Sequence, residues 1–126
     1  MPRFAILEHD WPTKHWDFLL EAGDVLRAWR LLEEPDVGEE SPAEANFDHR
    51  LIYLDFEGPL TGDRGRAVRW DTGTFEWIVN GEGRVVVELA GGELTGQAIL
   101  EKQTVGWQYR YSPGNAGFNP PSAIGD

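Results

Sequence analysis

The sequence predicts an all-β protein, a small closed antiparallel β-barrel of about eight strands. Three observations predict it. Glycine and proline, 15 and 8 of the 126 residues, recur between short segments in which apolar and polar residues alternate, the period of a half-buried strand. No stretch sustains the longer period of a helix. About eight such segments around one polar site favour closure, which removes exposed strand edges; a β-sandwich is the structural alternative.

Arg3–His9 reads as the first strand. Trp11, Pro12 and Thr13 make a turn, and residues 15–21 resume as a strand. Ala22, Gly23 and Asp24 turn tightly into Val25–Leu31, which makes these two strands a hairpin. Residues 33–46 are acidic, carry two prolines and offer almost nothing to bury, the composition of a solvated loop. A strand returns over residues 49–57, followed by a turn around Gly58 and Gly62. Residues 66–70, 74–79, 84–89, 94–101 and 105–111 complete the pattern, with sharp turns at Asp71-Thr72-Gly73 and Gly91-Gly92. Residues 1–111 are expected to form the barrel domain, and residues 112–126, rich in Gly, Pro and Asn, a flexible extension. The six tryptophans are expected to fill the barrel core or cap its ends.

A chain of this length has surface enough for one core and no more. No apolar run is long enough for a membrane-spanning helix, and no secretory leader is expected at the N-terminus. Cysteine is absent, which excludes disulfides, thiolate metal sites and cysteine nucleophiles and permits a reducing cytoplasm. Eleven basic residues against 22 acidic ones leave a net charge of −11. Such a surface repels phosphate and disfavours coating a duplex without regard to sequence. A small pocket holding one phosphate beside a cation remains compatible, because the local field governs there. Capture of a polyanion is expected to weaken as ionic strength falls and the repulsion is unscreened.

Two of the three histidines fall in one short segment: His9, His15 and then Asp17. Residues two apart on a strand share a face, so His15 and Asp17 project together, and a bend at Pro12 can return His9 beside them. Two imidazoles and a carboxylate form a competent ligand set for Zn²⁺, Mn²⁺ or Fe²⁺. Taken singly, a histidine is more often a surface or hydrogen-bonded residue than a ligand. The same set also serves non-haem iron oxygenases, which need a larger double-stranded barrel. His49 and Tyr53, four apart, form a second polar pair on one strand; alone, Tyr53 reads as a core or cross-strand aromatic.

These motifs resemble the 3′-phosphoesterase domain found at the front of bacterial DNA ligase D and as small free-standing proteins. His9 with His15-Trp16-Asp17-Phe18-Leu19-Leu20-Glu21 is similar to that family's central motif, and His49 through Tyr53 to Asp55-Phe56-Glu57-Gly58 is similar to its downstream signature. Val68 to Glu76, Gly92 to Gly96 and the closing strand with Trp107 follow in the same order, so the likeness runs from about Arg3 to Tyr111. The resemblance implies an eight-stranded barrel with a divalent-metal site, Mn²⁺ foremost and Zn²⁺ or another divalent ion as alternatives. It implies His9, His15 and Asp17 as metal ligands, expected at one mouth of the fold, and His49 and Tyr53 as the residues on the scissile phosphate. The implied chemistry is removal of a 3′-phosphate or a 3′-terminal ribonucleotide during DNA end repair in the cytoplasm. The implied partner is the 3′ end of DNA or of an RNA/DNA primer, or a smaller phosphate ester, with a repair ligase or polymerase in trans and no membrane.

Three positions depart from the family pattern. Leu19 stands where the family carries an arginine, Leu7 where a glutamine is frequent, and Glu33 roughly where a lysine lies. Leucine cannot imitate the forked, permanent charge of arginine on a phosphate. The chain starts almost at the first strand, so the arm that helps ligase-linked enzymes grip substrate is not expected. Lys14, Arg50, Arg64 and Arg66 are the candidate replacement cations. The alternative function is a degenerate, non-catalytic barrel that binds metal or phosphate.

Overall fold

In a computed structural model that describes residues 1–114, nine strands follow one another. They are β1 (Arg3–His9), β2 (His15–Ala22), β3 (Val25–Leu31), β4 (Ser41–Arg50), β5 (Gly58–Pro59), β6 (Arg66–Asn80), β7 (Arg84–Gly91), β8 (Thr95–Lys102) and β9 (Trp107–Pro113). The one helical piece among the described residues is a 3₁₀ turn, Leu51–Leu54, between β4 and β5. The sheet runs β1-β2-β3-β4-β9-β8-β7-β6, and β1 pairs again with β6. Eight antiparallel strands therefore close on themselves, as the sequence predicts, and the two-residue β5 adds a rung against β6.

Alternation along the strands sorts side chains into two apolar clusters. Phe4, Ile6, Trp16, Phe18, Leu20, Trp29 and Leu31 join residues of β6 to β9 inside the barrel. Their alternate neighbours on the other face, Ala5, Leu7, Leu19, Leu26 and Ala28, pack outside the wall against Ala67 and Leu54 of the 3₁₀ turn. The wall formed by β1, β2 and β3 is thus covered on both sides, and the functional residues lie on its outer face. Trp16 and Trp29 lie in the interior, while Trp70, Trp77 and Trp107 pack against it half-buried. Trp11 departs from the expectation and is 44% exposed.

The structure corrects four element assignments. Residues 33–46 are not all loop: β4 starts at Ser41, and buried Ser41 and Ala43 pair with Tyr109 and Trp107. Small inward side chains suffice there because the bulk comes from the Trp29–Trp107 pair, with ring centroids 5.6 Å apart. The acidic segment before β4 is also tied down, since the Tyr109 hydroxyl donates to the Pro35 carbonyl at 2.7 Å; burial pushes the Tyr109 phenol far above its ordinary value.

The expected strand over residues 49–57 ends at Arg50, and Leu51–Leu54 turn instead so that Leu54 packs on the outer wall. Asp71-Thr72-Gly73 is no turn but the middle of the 15-residue β6. The buried Asp71 carboxylate accepts the backbone N–H groups of Thr72, Gly92, Glu93 and Leu94 at 2.8–3.0 Å, which holds the turn between β7 and β8. Gly73 leaves the room: a Cβ there would meet the Gly91 Cα at 2.7 Å. Finally, β9 continues to Pro113, and Gly114 N–H donates to the Thr95 carbonyl at 2.7 Å. The rest of the expected extension, from Asn115, lies outside the described residues.

Candidate metal centre

Antiparallel pairing of β1 with β2 sets His9 directly opposite His15 and Leu7 opposite Asp17. The six-residue spacing of the histidines is therefore the length of a strand connection. Odd positions of both strands face outward, and the ring centroids of His9 and His15 come within 4.7 Å. His9 Nδ1 lies 3.5 Å from Asp17 Oδ2, and His15 Nε2 lies 3.2 Å from Asp17 Oδ1. One ligand atom from each of His9, His15 and Asp17 falls within 4.8 Å of the others. The cluster sits on the outer wall rather than at a mouth of the barrel, because interior positions of β2 belong to Trp16, Phe18 and Leu20.

The hydrogen bonds around the rings assign their tautomers. His15 Nδ1 donates to the Thr13 carbonyl at 2.9 Å, and His9 Nε2 donates to the Arg64 carbonyl at 2.8 Å. Each ring spends one N–H outward on a backbone oxygen and turns its other nitrogen toward Asp17. His15 Nε2 is buried and has no hydrogen-bond partner. These two nitrogens and the carboxylate are the donor types a divalent cation takes, and they lie close enough together to share one. Carbonyls behind ligating imidazoles are the usual means of orienting such a site. The donor set and its second layer fit a divalent metal.

Beside the cluster lies a cleft of about 420 Å³. Leu7, Leu19 and Ala67 form an apolar floor, and Leu19, where the family arginine was expected, is fully buried there. The last residues of β4 make one side. A register shift between Leu26 and Ala28 of β3 bulges β4 at Phe47 and Asp48, so that Phe47 is 75% exposed. Phe47 stacks on His49 with 5.0 Å between ring centroids and 13° between planes, and His49 Nδ1 donates to the Phe47 carbonyl at 2.8 Å. Tyr53 meets His49 edge-on at 5.7 Å, from the 3₁₀ turn rather than from a shared strand. The structure thus brings all five expected site residues to one region, with His9, Asp17, His49 and Tyr53 lining the cleft.

Of the candidate cations, Arg50 and Arg64 line this cleft, while Lys14 is engaged with Glu8 at 3.4 Å and Arg66 lies away from it. Arg64 Nε is held by the Thr61 carbonyl at 2.8 Å. Sequence reasoning missed Arg30, which lines the cleft from β3 opposite Asp17. The signal was present: a hairpin turning at Gly23 places Arg30 on the face of Asp17, whereas Arg27 falls on the opposite face. Three arginines and two aspartates line the cleft, a local balance opposite to the net charge of −11.

Fold and site together define a small β-barrel domain with a candidate metal centre on its outer wall. A family model described as the DNA ligase D 3′-phosphoesterase domain matches residues 7–102, and the chain belongs to that family. The multifunctional non-homologous end joining DNA repair protein LigD of Mycobacterium tuberculosis is 33% identical over 106 residues, which cover 77% of this chain and 14% of that protein. The multifunctional non-homologous end joining protein LigD of Pseudomonas aeruginosa is 32% identical over 78 residues, 58% of this chain and 9% of that protein. The chain thus spans a small fraction of the length of the curated relatives it matches. Among the described residues no helix is long and apolar enough to cross a membrane.

Proposed function

We propose that the chain is a divalent-metal-dependent 3′-phosphoesterase, removing a 3′-phosphate or a 3′-terminal ribonucleotide from DNA or RNA/DNA ends in end-joining repair. The observation that carries this reading is the buried, unpartnered Nε2 of His15 facing Asp17, with His9 completing the ligand set. His9, His15 and Asp17 would hold Mn²⁺, with Zn²⁺ as the alternative. Bound there, the ion would polarise a phosphate oxygen and lower the pKa of water beside it.

The chain's own groups do the rest. The stack on Phe47 and the bond to its carbonyl fix the His49 ring, leaving Nε2 free to pass a proton to the leaving oxygen. The Tyr53 hydroxyl would hold a phosphate oxygen as negative charge develops. Asp17 would neutralise metal charge and fix the geometry of the ligand set, while the Thr13 and Arg64 carbonyls orient the two imidazoles. The reading places this action in the cytoplasm with a repair ligase or polymerase in trans; what supports the end-joining part is the names of the relatives.

A primer ending in a 3′-phosphate or a single ribonucleotide tests the reading. Mn²⁺ should stimulate release of phosphate or nucleoside monophosphate, and His9→Ala and Asp17→Ala should abolish it. The buried Leu19 favours one competing reading, a barrel that binds metal or phosphate without turnover. That reading prevails if Mn²⁺ and the primer bind and neither product forms.

A further inference from the structure

We infer that Arg30 is the residue that grips the phosphate of the ligand, a role that rests on the phosphate-ester reading of this site. Arg30 is the register partner of Asp17 across β2 and β3, and such partners project side by side on one face of a sheet. Its side chain lines the cleft, yet its Nε is buried and donates to nothing. A guanidinium carries five donors and a permanent charge, so leaving a buried Nε unpaired is costly unless a ligand completes it.

Arg30 forms no ion pair among the described residues, although Glu44 is its register partner on β4 as Asp17 is on β2. The Asp17 oxygens lie against His15 and His9, and neither forms an ion pair with Arg30. The other arginines of the cleft are placed differently. Arg64 is held by Thr61 through both Nε and a terminal nitrogen. Arg50 is exposed at the end of β4, paired with Val25 at the far end of β3 from Arg30. Arg30 alone stands immediately beside the metal cluster with its donors free. A phosphate bridging the cluster and the guanidinium would satisfy both at once, through the forked contact that arginine makes with phosphate oxygens. Leu19, the next outward residue of β2 after Asp17, contributes only apolar floor, so the positive charge comes from the neighbouring strand.

The test compares one oligonucleotide ending in a 3′-phosphate with the same oligonucleotide ending in a 3′-hydroxyl, with Mn²⁺ binding followed separately by electron paramagnetic resonance. The wild-type protein should prefer the phosphorylated end. Arg30→Met should reduce that preference on the order of 10- to 100-fold, the loss expected for charge-assisted hydrogen bonds. Arg30→Lys should retain part of it, because a point charge replaces the fork. Mn²⁺ affinity should not fall in either variant, and this reports an intact fold and an intact ligand set. A preference that survives in both variants, or one that Arg50→Met abolishes and Arg30→Met does not, overturns the assignment. Weaker Mn²⁺ binding with the preference unchanged overturns it too, since Arg30 would then merely hold Asp17. Hydrolysis by the wild type with the preference intact in Arg30→Met removes Arg30 from this role and leaves the phosphoesterase reading standing. Absent hydrolysis with a preference that Arg30→Met abolishes does the opposite.

Discussion

The Nε2–H of His9 donates to the backbone carbonyl of Arg64 at 2.8 Å, across 55 positions of sequence. This contact joins the end of β1 to the loop between β5 and β6 and determines which His9 nitrogen faces Asp17. The loop is braced for the purpose. Asp10 Oδ1 accepts the Arg66 N–H at 2.8 Å, and Arg64 Nε closes back on the Thr61 carbonyl. Gly65 sits between them at φ +80°, a conformation that glycine adopts without strain.

Gly65→Ala should therefore weaken the metal site without any change to a proposed ligand. Its Cβ would approach Trp11 Cβ to 2.7 Å, and the positive φ is unfavourable for alanine. The expected loss of Mn²⁺ affinity is roughly 10- to 100-fold, the range for disturbing a group that orients a ligating histidine. A Mn²⁺ titration followed by electron paramagnetic resonance measures it, and circular dichroism should show the strands retained.

Metal should also stabilise the fold, because the unfolded chain does not hold the three ligands together. At a free Mn²⁺ concentration a hundredfold above Kd the gain is about 2.7 kcal/mol. For a domain of this size that corresponds to a rise in Tm of roughly 10 °C. His15→Ala should abolish the rise, each variant being compared with its own metal-free Tm. Ca²⁺, which favours all-oxygen sites, should reproduce little of it.

Strands β1 to β3 were legible because their apolar and polar residues alternate strongly and Gly23 marks the hairpin. The gathering of His9, His15 and Asp17 was legible for the same reason, being a matter of strand period and turn length. What stayed hidden depends on partners distant in sequence. Ser41 and Ala43 carry no hydrophobic signal, since the bulk above them comes from Trp29 and Trp107. Asp71-Thr72-Gly73 has the composition of a turn, but its carboxylate serves backbone groups about twenty residues later. Residues 51–54 are apolar enough for a strand, and one 3₁₀ turn is too short for periodicity to reveal. Choosing the outer wall over a barrel mouth required knowing which face of β2 the interior claims.

Acid should loosen the segment that carries Tyr53. Asp55, just past the 3₁₀ turn, binds Arg3 at 2.7 Å, and that hydrogen bond holds its carboxyl below its ordinary value. A depressed carboxylate stabilises the fold fully above the unfolded pKa and loses that contribution as pH falls through the folded pKa. The Tyr53 ring resonances should therefore shift at a pH below the ordinary aspartate range, and Asp55→Asn should remove that step. Both partners are exposed, so added salt should shrink the effect.

Chain length and salt should separate the cleft from the surface around it. A dinucleotide with a 3′-phosphate meets mainly the cleft, where three arginines face two aspartates. A long single strand also passes over a protein whose net charge is −11. Lowering the ionic strength lengthens the reach of that repulsion, so the long strand should lose affinity relative to the dinucleotide as salt is withdrawn. Fluorescence anisotropy of the two ligands across a salt series measures the ratio. A protein that binds along a basic groove gains affinity for the longer strand at low salt, because more counterions are released. That opposite trend here would place a continuous cationic track beyond Arg30, Arg50 and Arg64.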